Sequence, residues 1–217
     1  MAREVAEEIS EKPLIIAMKG HPGTGKSTLA HALASALKFP LVDKDDIRHS
    51  TFHLQRSSVS RHHLNDLSYD AVWRVAATQL HLGLSVIIDS PLSRRTHLDR
   101  LIDLAASVGG RIVIVECRPS DEAKWRERLE GREKSWHKPS SWGELQELIK
   151  GYGGCSEYDV GDVPRMVVDT TAPNLGVEEL VSRVVEFIAS ARCPTQTPMT
   201  LVPCLKKENA AVIMTLN

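Results

Sequence analysis

Short apolar runs alternate along this chain with longer stretches in which apolar residues return at helical spacing. The run Pro13 to Met18 reads as a strand, and it passes through a glycine-rich turn into Lys26 to Leu37, whose spacing suits a helix. Pro40 to Asp43 predicts a second short strand, which delivers Lys44-Asp45-Asp46-Ile47-Arg48 at its end. From Asn65 to Leu82 the apolar positions Leu67, Ala71 and Val75 recur every four residues, a long helix stopped by Gly83. Leu84 to Asp89 is a third strand, and Leu98, Leu101, Ile102, Ala105 and Val108 mark a helix ended by Gly109-Gly110. Arg111 to Glu116 is nearly continuous in apolar residues, as expected of a strand covered on both faces. A charged helix from about Glu122 to Glu130, a Trp/Pro/Ser loop, a short helix from about Ser141 to Lys150, a strand at Met166 to Asp169 and a strongly striped helix from Val177 to Ile188 complete the pattern.

Strands and helices in this order imply an α/β chain: a three-layer α/β/α sandwich around a five-stranded parallel sheet. Such sheets gather ligands beyond the carboxyl ends of their strands. Gly20, Asp43 with Asp45, Asp89 and Thr170 all fall just past strand ends, so the pattern sets them along one rim. Residues 13–192 form the expected domain. Met1 to Lys12 reads as a solvated lead-in, and 193–217, with three prolines and no clear period, as an irregular tail.

Composition narrows the partners. A 217-residue chain with 42% hydrophobic and 25% charged residues suits one soluble globular domain. Lys+Arg 27 against Asp+Glu 28 leaves a net charge of -1, and aromatic residues make up only 5%; both weigh against a nucleic-acid partner. Cys117, Cys155, Cys193 and Cys204 are scattered without a C-x-x-C pair, which fits a reducing compartment. The first residues resemble neither a secretory signal nor a transit peptide, and no stretch approaches a membrane span, so a cytoplasmic protein without a membrane partner is expected. The nine histidines, His62-His63 among them, show no helical spacing with acidic residues of the kind a metal site uses.

Gly20-His21-Pro22-Gly23-Thr24-Gly25-Lys26-Ser27 fits G-x-x-x-x-G-K-[ST] at every fixed position, between a strand and a helix. Glycines let successive backbone N–H groups point into one concavity, the helix that begins at Lys26 and continues through Ser27 and Thr28 turns its positive end to the same point, and Lys26 adds a full charge. A triphosphate is the natural guest, with the Ser27 hydroxyl as a ligand to Mg²⁺. No guanine-reading N-K-x-D and no D-x-x-G switch stand in the expected places, so ATP is the expected nucleotide and a kinase the expected chemistry. Asp45 is then the candidate base for the acceptor's proton and a holder of magnesium-bound water, with Asp46 capping the short helix; Asp43 is the rival base. Arg48 is a candidate clamp for the acceptor. Asp89 is placed to order the magnesium hydration shell or the acceptor. Arg128 and Arg132, four apart on one predicted helix face, are candidates for a lid over the transferring group. The turn that begins at Thr170 is a candidate for the adenine edge.

These residues resemble the small P-loop kinases, a group that takes in polynucleotide 5′-kinase domains, gluconate- and shikimate-type kinases, chloramphenicol phosphotransferase and zeta toxins. The pattern is most similar to the AAA-type ATP-binding kinases. The resemblance runs from Pro13 to Ala191 and rests on Gly20 to Ser27, Asp45-Asp46-Ile47-Arg48, Asp89 with the following Arg94-Arg95, Arg128 with Arg132, and Tyr158 to Thr170. It implies the P-loop nucleoside triphosphate hydrolase fold and use of ATP and Mg²⁺. Carried over from the polynucleotide branch, it also implies Asp45 as base and Arg48 as holder of the acceptor's phosphate region. The expectation is a kinase acting on a hydroxyl of a small metabolite; the alternatives are a polynucleotide 5′-hydroxyl kinase and an ATP-binding module without transfer activity. Neither the acceptor nor the oligomeric state is legible.

Overall fold

Alternate residues of the first strand face opposite ways, and here both sides are buried. In a computed structural model of the chain, which describes residues 12–56, 59–153, 156–173 and 175–191, β1 (Leu14–Lys19) is buried at all six positions. Leu14, Ile16 and Met18 join one core with Leu29, Leu33, Val184 and Ile188, while Ile15 and Ala17 join a second with Val72, Ala76, Leu98 and Leu101. Each fully buried Leu or Ile contributes about 1.5–3 kcal/mol. The central strand thus ties the two cores together.

The chain proceeds through α1 (Lys26–Leu37), β2 (Leu41–Asp43), α2 (Lys44–Ser50), a 3₁₀ turn over Phe52–Arg56 and α3 (Arg61–His81). It continues with β3 (Val86–Asp89), α4 (Arg95–Ser107), β4 (Arg111–Cys117), α5 (Glu122–Gly131), α6 (Trp142–Gly151), β5 (Arg165–Val168) and α7 (Val177–Ser190). The five strands form one sheet in the order β2-β3-β1-β4-β5, with every adjacent pair parallel. Helices α1 and α7 cover one face, α3 and α4 the other. This is the expected three-layer α/β/α sandwich. The sheet order sets β1 and β3 side by side, with Met18 paired to Asp89, and β3 beside β2, with Asp43 paired to Asp89. The phosphate-loop strand and the two aspartate-bearing strand ends therefore open onto the same rim.

The long helix α3 exists, yet it buries another face than its four-residue repeat suggests. Leu67 and Val75 are exposed, while Leu64, Ser68, Tyr69, Val72, Trp73, Ala76 and Leu80 are buried. Tyr69 and Trp73 carry large amphipathic rings that outweigh two isolated aliphatics. His62 also pairs with Asp66 at helical spacing, 2.7 Å apart and exposed, a His–acid contact missed in the sequence pattern. Among the described residues no helix is long and apolar enough to cross a membrane, Cys117 is a free buried thiol, and no group of three or more His, Cys, Asp or Glu side chains is placed to hold a metal ion. The expected tail at 193–217 lies outside the described residues.

Candidate active site

Beyond the carboxyl end of β1 the backbone wraps a cleft of about 730 Å³. Every residue from Gly20 to Thr28 lines it. Gly20, at φ 146°, passes so near β4 that a Cβ there would meet the Cys117 carbonyl at 2.8 Å. Gly25, at φ 81°, precedes α1 without offering a capping side chain, and no acidic residue stands in the first turn. The leading N–H groups of α1 therefore face the cleft without a side-chain acceptor, an arrangement that suits an anion. The loop is braced from outside. Trp125 Nε1 donates to the Pro22 carbonyl at 2.9 Å, and the Thr170 hydroxyl donates to the Thr24 carbonyl at 2.6 Å. Asp169 fixes the turn that carries Thr170 by accepting from the Ser120 and Thr171 amides at 3.0 and 2.9 Å. Thr170 accordingly supports the phosphate loop with its side chain.

Lys26 is buried, and its ammonium is paired with Asp89, which is also buried. Burial works to lower the Lys26 pKa, but Asp89 outweighs it, with Asp45 and Asp43 adding to the effect, and the pKa is raised. Asp89 Oδ2, the other oxygen, is buried with no hydrogen-bond partner among the described residues. Asp43 sits across the strand pair from Asp89, and burial first, then the Asp89 charge, push its pKa up to about 6. The orphaned Asp89 oxygen, the Asp43 carboxyl and the Ser27 hydroxyl are hard oxygen donors near the phosphate loop, and they fit a Mg²⁺ ion that keeps several of its waters. A few protein oxygens suffice for such an ion.

Asp45 lies in the cleft wall with Lys26 and is gripped by three cationic or imidazole groups. Lys138 Nζ is 2.7 Å from Oδ2, Lys44 Nζ is 3.0 Å from Oδ1, and His137 Nε2 is 3.5 Å from Oδ1. Burial alone would raise its pKa, yet the nearby His137 imidazole and the charges of Lys44 and Lys138 hold the carboxyl well below the usual range. The helix cap is Asp43, whose Oδ1 accepts from the Asp45 N–H at 2.7 Å, and not Asp46, which is exposed. The reason is register. β2 ends one residue before the helix, so Asp43 alone has the extended backbone of a cap.

Arg128 and Arg132 both reach the cleft, though not as neighbours on one helix face. Helix α5 ends at Gly131, and Arg132 has turned to extended backbone, where Nη2 donates to the Pro139 carbonyl at 2.5 Å. Arg128 Nη1 lies 3.5 Å from the Thr170 hydroxyl. Arg48 is not brought to the cleft. It is 3% exposed, donates to the Thr51 hydroxyl at 3.1 Å and the Arg61 carbonyl at 3.3 Å, and stacks 4.4 Å from the Trp136 ring centre. The helix α2 turns its side chain inward, under the loop that carries Trp136, His137 and Lys138. Asp43 and Asp89 likewise stand behind the lining, with Lys26 between Asp89 and the opening.

Several cleft residues were not among the site candidates read from the sequence: Lys44, Asn65, Tyr69, His97, His137 and Lys138. Lys44 adjoins Asp45 in sequence, which was a usable signal. His137 and Lys138 arrive from a loop without periodicity and carried none.

Residues 15–146, more than half of the chain, match the family model described as an AAA domain. No curated protein matches the chain in sequence. Among solved structures, a candidate kinase from Chloroflexus aurantiacus J-10-fl is 26% identical with a TM-score of 0.63, over 81% of this chain and 98% of that one. A gluconokinase from Sinorhizobium meliloti 1021 is 22% identical with a TM-score of 0.56, over 82% and 93%. The Mycobacterium tuberculosis APS kinase CysC, solved in complex with AMPPNP and APS, is 16% identical with a TM-score of 0.54, over 82% and 98%. The last two likenesses are likenesses of fold.

Proposed function

The chain belongs to the AAA domain family, and from that premise we propose that it is an ATP- and Mg²⁺-dependent kinase that transfers the γ-phosphoryl group to a hydroxyl of a small molecule. The observation that carries this reading is the shared cleft of Asp45 and the phosphate loop, with Asp45 kept ionised by Lys44, His137 and Lys138. An ionised carboxylate there accepts a hydrogen bond from the acceptor hydroxyl, aims its oxygen at the γ-phosphorus and takes its proton as transfer proceeds. A carboxylate of low basicity is adequate, because a loose phosphoryl-transfer transition state asks chiefly for position and charge.

The loop N–H groups and Lys26 hold the β- and γ-phosphates. A nucleotide would draw the Lys26 ammonium forward from Asp89, and the Asp89 oxygens, with Asp43 and Ser27, are the residues that would hold Mg²⁺. When bound, that ion neutralises part of the phosphate charge. Arg128 and Arg132 supply further positive charge beside the transferring group. The acceptor oxygen forms its bond to phosphorus as the bond to the β,γ-bridging oxygen breaks, and ADP leaves.

The test is a screen. Labelled ATP is incubated with the protein and a metabolite extract, with an oligonucleotide as a separate arm, and products are identified by mass spectrometry. A labelled small molecule formed by the wild type and not by Lys26→Ala supports the reading. Equal labelling by both proteins, or label in the oligonucleotide alone, overturns it.

A further inference from the structure

The charges that line the cleft are unequal. Six cations, Lys26, Lys44, Arg94, Arg128, Arg132 and Lys138, face one carboxylate, Asp45. Lys26 belongs to the phosphate loop, and Arg128 and Arg132 flank the place where the γ-phosphate sits in the kinase reading. That leaves Lys44, Arg94 and Lys138 with Asp45 at the acceptor end, three positive charges against one negative. Asp45 is already divided between Lys44 at 3.0 Å and Lys138 at 2.7 Å. Arg94, the residue before α4, has no carboxylate partner among the described residues, whereas its neighbour Arg95 is paired with Asp99 at 2.7 Å on the outer surface.

The neutral groups around these charges point the same way. Lys44 Nζ lies 3.4 Å from Asn65 Oδ1 and 5.6 Å from the Tyr69 ring centre, and the His97 ring packs against Tyr69, tilted by 35° with ring centres 4.0 Å apart. Burial, then the Arg94 charge, push the His97 pKa down to about 4, so the imidazole is uncharged in a positive field. Its Nδ1 has no partner among the described residues. A neutral alcohol that filled this end would leave the half-buried Lys138 and the exposed Arg94 without a counter-charge. An anion would return charge-assisted hydrogen bonds.

Resting on the kinase reading above, we infer that the acceptor is a hydroxylated small molecule with a fixed negative charge of its own, a carboxylate or a phosphate ester, received by Arg94 together with Lys44 and Lys138. Asp45 then meets the hydroxyl while Arg94 meets the anion, and the two ends of the acceptor are told apart by charge. Neutral polyols fit only the hydroxyl end.

Calorimetric binding to the full chain with ADP and Mg²⁺ decides this without requiring turnover. The probes are two matched sets: glycerol, glycerate and glycerophosphate; glucose, gluconate and glucose phosphate. The expected result is binding of an anionic member about tenfold or more tighter than its neutral counterpart, the scale of one charge-assisted hydrogen bond. Arg94→Gln should erase that preference, and Arg100→Gln, an exposed change within α4, should keep it. Preference for the carboxylate or for the phosphate member identifies which anion the site takes. Equal or tighter binding of the neutral members, no dependence on charge in either set, or an undiminished preference in Arg94→Gln overturns the inference. ADP release from ATP, followed separately with the same probes, distinguishes the two readings. Charge-selective binding without any transfer keeps the anion site and sinks the kinase, and efficient transfer to a neutral probe does the reverse.

Discussion

The buried ammonium of Lys26 is paired with the still more deeply buried carboxylate of Asp89, so the charge proposed to grip phosphate has a partner inside the protein before any nucleotide arrives. The pair joins the first residue of α1 to the last residue of β3, elements 63 positions apart. Removing one member leaves a buried charge uncompensated, which typically costs about 3–5 kcal/mol. Lys26→Met should therefore lower the unfolding free energy of the nucleotide-free protein by roughly that amount, and Lys26→Met with Asp89→Asn should recover most of it. Neither variant should bind ATP. Denaturant titration with nucleotide-binding calorimetry checks both statements; a single variant as stable as the wild type would show that the pair carries no weight in folding.

Trp125 ties α5 to the phosphate loop through its 2.9 Å bond to the Pro22 carbonyl. Trp125→Phe keeps most of the ring and removes only the donor. A neutral hydrogen bond of about 1 kcal/mol corresponds to roughly fivefold, so ATP should bind about that much more weakly, with the unfolding midpoint little changed. Unaltered ATP affinity would mean that the loop keeps its shape without this strut.

Arg48 gives a test in the opposite sense. As a buried support for Trp136, Thr51 and the Arg61 carbonyl, its replacement by Met should reduce stability by about 1.5–3 kcal/mol, the range for bonds to a charged group. The KM for ATP should hold. Undiminished stability with a raised acceptor KM would restore Arg48 to the clamp role that its sequence motif suggests.

Asp43 predicts a pH dependence. Its folded pKa of about 6 stands above the ordinary 3.8, so between those values the folded chain holds a proton that the unfolded chain releases, and this group's contribution to stability falls as pH rises. His97, lowered from 6.5 to about 4, acts in the opposite direction over nearly the same window. The difference between wild type and Asp43→Asn isolates the aspartate, since Asn still offers an oxygen to the Asp45 amide. The wild type should lose stability relative to Asp43→Asn from pH 4 to pH 6 and run parallel to it above. Parallel curves throughout would contradict the raised pKa.

How much of this was legible in the sequence depended on whether a local pattern carried the information. The phosphate loop was fully legible, because glycine spacing, strand and helix all lie within one continuous stretch from Leu14 to Leu37. The parallel sheet of five strands also followed from alternation, though not the order of its strands, and Asp43 and Asp89 were correctly set at strand ends. The buried face of α3 was misread, since periodicity weighs Leu67 and Val75 like core residues and cannot see that Tyr69 and Trp73 pack across from Leu98 and Leu101. Likewise the pairing of Asp45 with Lys138 and the seclusion of Arg48 beneath Trp136 join distant parts of the chain. Such contacts arise only when the loop between α5 and α6 folds back over α2, and no spacing encodes that.

That Asp45 acts on the acceptor and not on the nucleotide is tested most directly by a split between binding and transfer for Asp45→Asn, which keeps the size of the side chain and removes its charge. ATP affinity by calorimetry should match the wild type, while the single-turnover rate with the acceptor identified in the screen should fall by about 10²–10⁴-fold, the usual share of a positioned base. A transfer rate equal to the wild type, with ATP affinity retained, would contradict the assignment of Asp45 as the group that receives the proton.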